Sequence, residues 1–224
     1  MHRRTRRRPA ARWPRAHRRI QPSRNPVCLA IGLCLAIAST AGANEPEWTL
    51  EREAEGITVE TRPVPDSGVR EFRGVTEVAA PTEEILALLR DSDRFSAWFP
   101  NTPESRLLAR EDGVSYRYSV MATPWPISER DNVLRSSLHS DPATSIVQID
   151  LEAAPEYYAE QSGRVRVRRA RGSWTLEPLA ERRTRVTFRM HLEPGGGIPE
   201  WMVNTRVVET PFEALTNLRE TVER

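Results

Sequence analysis

The 224-residue chain contains no lysine; all 33 of its basic residues are arginine. Schiff-base and other lysine chemistry are excluded, and the all-arginine usage reads as a genome-composition bias. Cysteine is nearly as scarce. Cys28 and Cys34 both lie in the N-terminal segment, so the remainder has no disulfide, thiol nucleophile or thiolate metal site. Beyond that segment only two histidines occur, His139 and His191, far apart and outside metal-ligand spacing. There is no GxSxG elbow, phosphate-binding loop or paired-histidine helix. Neither a metal nor a cofactor is expected. Long apolar runs are also missing, because the best, from Val27 to Ala38, falls short of the ~20 residues a membrane span needs.

That run has a different use. Ten arginines and no acid precede it within residues 1–43, and the small triplet Ala41-Gly42-Ala43 follows it. A basic region, an apolar stretch and a small-residue cleavage site together make a secretory signal. Cleavage after Ala43 is expected, leaving residues 44–224 as one periplasmic or secreted domain; an uncleaved membrane anchor is the alternative. Without residues 1–43 the chain has 23 basic against 31 acidic residues, a net of −8 in place of +2. The basic balance belongs to the targeting segment, so no nucleic-acid partner is expected.

Residues 44–224 suit a single domain with a substantial core. Strands are expected near Trp48–Glu53, Ile57–Pro63 and Val69–Val78, then a helix over Pro81–Arg90 with Ile85, Leu88 and Leu89 at helical spacing. Beyond Ser105 the period becomes two. Val114, Tyr116, Tyr118 and Val120 form one apolar row, Val147, Ile149 and Leu151 a second, and Val186, Phe188, Met190 and Leu192 a third. Runs of strands with helices at separate places give an α+β domain built on an antiparallel sheet. A last helix, Pro199 to about Val222, would be roughly 36 Å long. Val203, Val207, Leu215, Leu218 and Val222 share one stripe, with Met202 and Phe212 beside it. Pro211 interrupts that helix, either as a lid's kink or as a bend around the core.

Two short stretches carry the most information. Trp125-Pro126-Ile127-Ser128-Glu129-Arg130-Asp131 reads as a proline-set turn launching a strand. Pro194-Gly195-Gly196-Gly197-Ile198-Pro199-Glu200-Trp201-Met202-Val203-Asn204 reads as a glycine hinge launching the last helix. In this order and separation they resemble the START family of lipid-transfer domains, over the chain from about Trp48 to its C-terminus. The resemblance implies a helix-grip fold, a curved antiparallel sheet wrapped around a long C-terminal helix. It also implies one hydrophobic molecule or lipid bound beneath that helix, without chemistry. Some relatives in the wider superfamily cyclise polyketides or hydrolyse small substrates in the same cavity, and a cavity enzyme using Arg130, Tyr118 or His191 is the competing reading. A third is an interaction domain whose cavity is filled by its own side chains.

The expected ligand-binding residues are Tyr116, Tyr118, Val120, Arg130, Leu134, Val147, Ile149, Phe188, Met190, Met202, Val203 and Val207. Arg130 shares parity with Asn132, Leu134, Ser136 and Leu138, the row taken to face inward. Its planar fork suits a ligand's phosphate or hydroxyl, or else a salt bridge to Asp131, Glu129 or another carboxylate. Ser136 stands where many START domains place a second inward arginine. Trp125 and Trp201 are expected in the core, with transient contact at a membrane surface as the alternative. Arg164, Arg166 and Arg168 fall on one face of a strand, either solvated or set against anionic headgroups.

Overall fold

The computed structural model describes residues 46–224, and the expected signal segment with its boundary after Ala43 lies outside them. Ten strands form one curved sheet. They are β1 (Thr49–Ala54), β2 (Ile57–Val64), β3 (Ser67–Val78), β4 (Glu104–Glu111), β5 (Val114–Met121), β6 (Arg130–Ser140), β7 (Val147–Ala153), β8 (Val165–Arg166), β9 (Arg169–Ala180) and β10 (Arg183–Glu193). The order across the sheet is β1-β2-β3-β10-β9-β7-β6-β5-β4, with every neighbouring pair antiparallel and only the short β8 lying parallel to the start of β6. Helices α1 (Thr82–Arg90) and α2 (Phe95–Trp98) follow β3, and α3 (Glu200–Val222) ends the chain. This is the expected helix-grip architecture.

Apolar residues fill the concave side. Ile85, Leu88 and Leu89 of α1 are buried, as their spacing requires. Ile57, Val59, Phe72, Ile149, Leu151, Trp174, Leu176, Val186, Phe188 and Met190 belong to the same core. On α3 the buried face is Val207, Pro211, Phe212, Ala214, Leu215 and Leu218, packed on β2, β3, α1 and α2. At Gly74 the strand β3 comes close to Pro211 and Leu215 of α3. A Cβ there would stand 2.8 Å from Leu215 Cδ1 and 3.2 Å from Pro211 Cβ, so glycine lets the helix settle directly onto the strand.

Polar contacts pin α3 along its length. Asn204 Oδ1 accepts from the Arg70 amide at 3.0 Å, and its Nδ2 donates to the Gly68 carbonyl at 3.1 Å. Farther along, Asn217 Nδ2 donates to the carbonyl of Trp98 at 2.8 Å, joining α3 to α2.

Candidate functional site

A cleft opens on the concave side between the C-terminal end of α1 and the strands β5, β6, β7 and β9. Leu89, Arg90, Ser92, Arg110, Val114, Ser115, Arg117, Ser136, Leu138, Ile149, Leu151 and Trp174 line it. Its cavity volume is about 30 Å³. The interior is therefore narrow. Beside it runs an aromatic wall: Trp174 stacks on Phe188 at 3.9 Å, Phe99 meets Phe188 at 6.0 Å, and Trp98 meets Trp174 at 6.3 Å. Two hydrogen bonds tie β4 to the end of α1 and the residues after it, from Arg110 Nη2 to the Arg90 carbonyl at 2.7 Å and from Ser105 Oγ to the Ser92 carbonyl at 2.7 Å.

The structure separates the expected binding residues into three groups. Leu134, Ile149, Phe188, Met190 and Val207 are buried in the concave core, with Val147 and Val203 packed against it. Of these Ile149 reaches the cleft itself. Met202 is half-buried at the start of α3.

Tyr116, Tyr118 and Val120 form the second group, and their expected inward orientation is corrected. Tyr118 pairs with Val133, whereas Arg117 pairs with Leu134, so the tyrosine row and the core row lie on opposite faces of the sheet. Tyr118, Val120 and Val133 make a separate small core on the convex side, covered by Leu108, Tyr116, Ala154 and Tyr158. The cover comes from a 3₁₀ turn at Pro155–Tyr157 and the residue after it. Tyr157 stacks on Tyr116 with centroids 3.6 Å apart, and Tyr158 meets Tyr118 edge-on at 5.3 Å. Because β5 finds this second apolar partner outside, its polar row of Ser115, Arg117 and Ser119 turns inward.

The arginine-rich stretch belongs to the same convex cover. Arg166, 5% exposed, forms a two-pronged pair with Asp131 at 2.9 Å for each bond and donates further to the carbonyls of Pro155, Tyr158 and Ala159. Arg164 donates to Tyr118 Oη at 2.7 Å and pairs with Glu104 and Glu129. Burial pushes the Tyr118 hydroxyl up despite Arg164. Arg164 and Arg166 hold the outer layer down in place of the solvated or headgroup-facing role expected of them, while Arg168 is exposed, as the solvated reading has it, and pairs with Glu156 and Glu160. His191 is likewise buried on the convex side of β10, with Nε2 3.1 Å from Ser67 Oγ. Tyr118 and His191 are thus removed from the list of groups able to polarise a molecule in the cleft.

Arg130 stands alone as the third group. It is 1% exposed and meets no carboxylate among the described residues, so the expected pairing with Asp131 or Glu129 is also corrected. Nη1 donates to the Ser128 carbonyl and Nη2 to the Gly195 carbonyl at 3.1 Å, while Nε is buried without an acceptor. Burial alone acts on the group and lowers its pKa. One guanidinium therefore ties the turn before β6 to the hinge before α3. Gly195, Gly196 and Gly197 take φ of +65°, +67° and +71°, a left-handed run open to glycine without penalty. A Cβ on Gly196 would also stand 2.8 Å from Arg130 Nη2.

Trp125 and Trp201, expected in the core, flank this junction on the outside, 93% and 69% exposed. Trp125 lies in the turn before β6 and Trp201 in the first turn of α3.

A curved antiparallel sheet wrapped around a long C-terminal helix defines a helix-grip protein. The START domain family model matches residues 34–224, and an uncharacterized protein of Pseudomonas aeruginosa is 33% identical over 193 residues, covering 86% of this chain and 95% of its own length. The chain belongs to the START domain family. The phosphatidylcholine transfer protein of Rattus norvegicus is 30% identical over 165 residues, 70% of this chain and 75% of that protein. Among solved structures, a fragment of a STAR-related lipid transfer protein from Xanthomonas axonopodis has a TM-score of 0.74 and 40% identity, covering 79% of this chain and 99% of that one.

Sequence reasoning missed Arg117, Ser115 and Trp174 as cleft residues, whereas Ser136 and Leu138 lie on the row it took to face inward. The pair Tyr157-Tyr158 was the available signal, since a second aromatic patch is what the tyrosine row of β5 needs outside.

Proposed function

We propose that this protein binds one lipid or similarly apolar amphiphile in the concave cleft and exchanges it at a membrane, after export and removal of residues 1–43. The observation that carries this reading is the cleft itself, where Leu89, Val114, Leu138, Ile149, Leu151 and Trp174 are matched by as many arginines and serines, an amphiphilic lining inside a START domain. Relatives named for transfer of phosphatidylcholine and of lipids support it. Pockets that take drug-sized ligands measure roughly 300–1,000 Å³, far more than this interior offers. Loading therefore requires α1 and α2 to move off the sheet, breaking the contacts of Arg110 with Arg90 and of Ser105 with Ser92.

Trp125 and Trp201 support the membrane step. Indole rings favour the boundary between headgroups and acyl chains, and here two of them project beside the hinge of α3. Native mass spectrometry of the purified full chain, followed by lipid transfer between donor and acceptor vesicles, tests the proposal. A copurified amphiphile and transfer well above the spontaneous rate are expected. A protein that carries nothing and transfers nothing would reject lipid binding in favour of a packed interaction domain. For export, N-terminal sequencing of the envelope form should begin at Asn44; an intact chain retaining Cys28 and Cys34 rejects it.

A further inference from the structure

Arg117 lies on the inward row of β5, opposite Leu134, and is 7% exposed. Its Cζ stands 3.7 Å from the centroid of the Phe95 ring, and its Nε is buried without an acceptor. Among the described residues no hydrogen bond or ion pair offsets its burial, which pushes its pKa down to about 10. The other buried arginines differ. Arg166 holds Asp131, Arg62 holds Glu71, and Arg130 holds two carbonyls. A ring face attracts a cation, but it leaves the donors of a buried guanidinium unused, and an uncompensated buried charge is costly.

Two further observations point the same way. Trp98, edge-on to Phe95 at 5.2 Å, has its Nε1 buried without an acceptor. Guanidinium and indole are both donors only, so whatever completes them must bring acceptors. The charged residues lining the cleft are Arg90, Arg110 and Arg117, joined by serines and by no acid. Asp91 and Asp93 do appear in the outer groove beside Arg90 and Arg110, so the rim is balanced in charge while the interior is not.

We propose that Arg117 is the receptor for an oxyanion head, so the molecule held in the cleft is an acidic amphiphile with a carboxylate or a phosphate group. This rests on the lipid-binding reading and names its ligand class. The planar fork takes two oxygens of one head at once. A neutral head leaves the cation bare, and a cationic head is repelled by it.

The test is a binding titration of the purified full chain, delipidated, against three probes sharing one acyl chain: oleate, monooleoyl phosphatidate and oleyl alcohol. At least one acid should bind about tenfold or more tighter than the alcohol, the factor a charge-assisted hydrogen bond supplies. Preference for oleate alone identifies a carboxylate, and for monooleoyl phosphatidate alone a phosphate. Arg117→Met should lose the preference while still binding oleyl alcohol, without a lower melting temperature, because no partner in the protein is stranded. Should that variant fail to fold, Arg117→Lys retains the charge and must retain the preference, and the wild-type ratio of acid to alcohol stands independently. Equal binding of acids and alcohol, or a preference surviving in Arg117→Met, overturns the anion site while leaving lipid binding intact. Failure of all three probes overturns both.

Discussion

The guanidinium of Arg130 donates to the carbonyl of Gly195, joining residues 65 apart in the chain at 3.1 Å. Its other prong holds Ser128, so the two sequence motifs meet at a single side chain. The contact sets the take-off point of α3 from the sheet. It also gives Arg130 a structural partner set made of carbonyls, with its Nε left over.

A double-mutant cycle on Arg130 and Gly196 should expose that coupling. Gly196→Ala pays ~1–2 kcal/mol for a side chain at left-handed φ, and more because the new Cβ meets Nη2. In an Arg130→Met background the second cost disappears. An interaction energy of about 0.5–3 kcal/mol, the range for residues in contact, is expected from denaturant unfolding. Strict additivity would mean that arginine and hinge are independent.

The close approach at Gly74 gives a second test. Gly74→Ala places a methyl 2.8 Å from Leu215 Cδ1 against a proline that cannot yield easily. Overpacking of this kind costs typically ~1–3 kcal/mol, or a few degrees of melting temperature for a domain of this size. Leu215→Ala should recover part of the loss when combined with it. If Gly74→Ala melts like wild type, α3 does not lie this close to β3.

Much of this architecture was readable in the residues, and the failures share one physical cause. Ile85, Leu88 and Leu89 bury because a surface helix has one sheet to face. The rows on β7 and β10 point inward for the same reason. On β5 the rule fails, since Tyr116, Tyr118 and Val120 have a second apolar partner in a turn some forty residues later. Alternation reveals that a strand has an apolar face, but not which layer covers it. Arg117 was hidden by the same inversion: a guanidinium between Ser115 and Ser119 reads as a wet row, and only the register with Leu134 places it inside. Trp125 and Trp201 failed differently. Tryptophan is usually well buried, and departure from that habit is visible only in three dimensions.

Glu71 predicts an acid limb of stability. It is 2% exposed on the convex side, bonded to Arg62 and Arg189, beneath the Trp48 ring that both arginines approach. Burial pushes its carboxyl up, but the bonds and charges of the two arginines outweigh that and leave it below the ordinary 4.5. Its contribution is therefore complete above that value and lost as pH falls through the lowered one. Glu71→Gln should cost about 3 kcal/mol near neutrality, the low end for breaking a buried pair. The gap between wild type and Glu71→Gln should close as pH falls below 4.5 and through the lowered value of Glu71. His191, lowered by burial and held up in part by the Glu71 charge, destabilises as pH falls below its ordinary 6.5, and does so more in Glu71→Gln, so the gap should widen slightly there before it closes. A gap that is constant with pH would reject the assignment.

The exposed tryptophans separate folding from membrane exchange. Side chains with 93% and 69% of their surface in water contribute little to packing. Trp125→Ala with Trp201→Ala should therefore change stability by only about 0.5 kcal/mol per site. Affinity for a monomeric amphiphile should also be unchanged, because neither ring lines the cleft. Sedimentation with phosphatidylcholine vesicles and the rate of transfer between them should both fall severalfold, since the rings are the boundary-seeking groups beside the hinge. A comparison surface change, Glu213→Gln on an exposed part of α3, should alter neither. If the double variant transfers lipid as fast as wild type, the Trp125–Trp201 end is not where the protein meets the membrane, whereas loss of ligand affinity in solution would instead place one of these rings against the bound molecule.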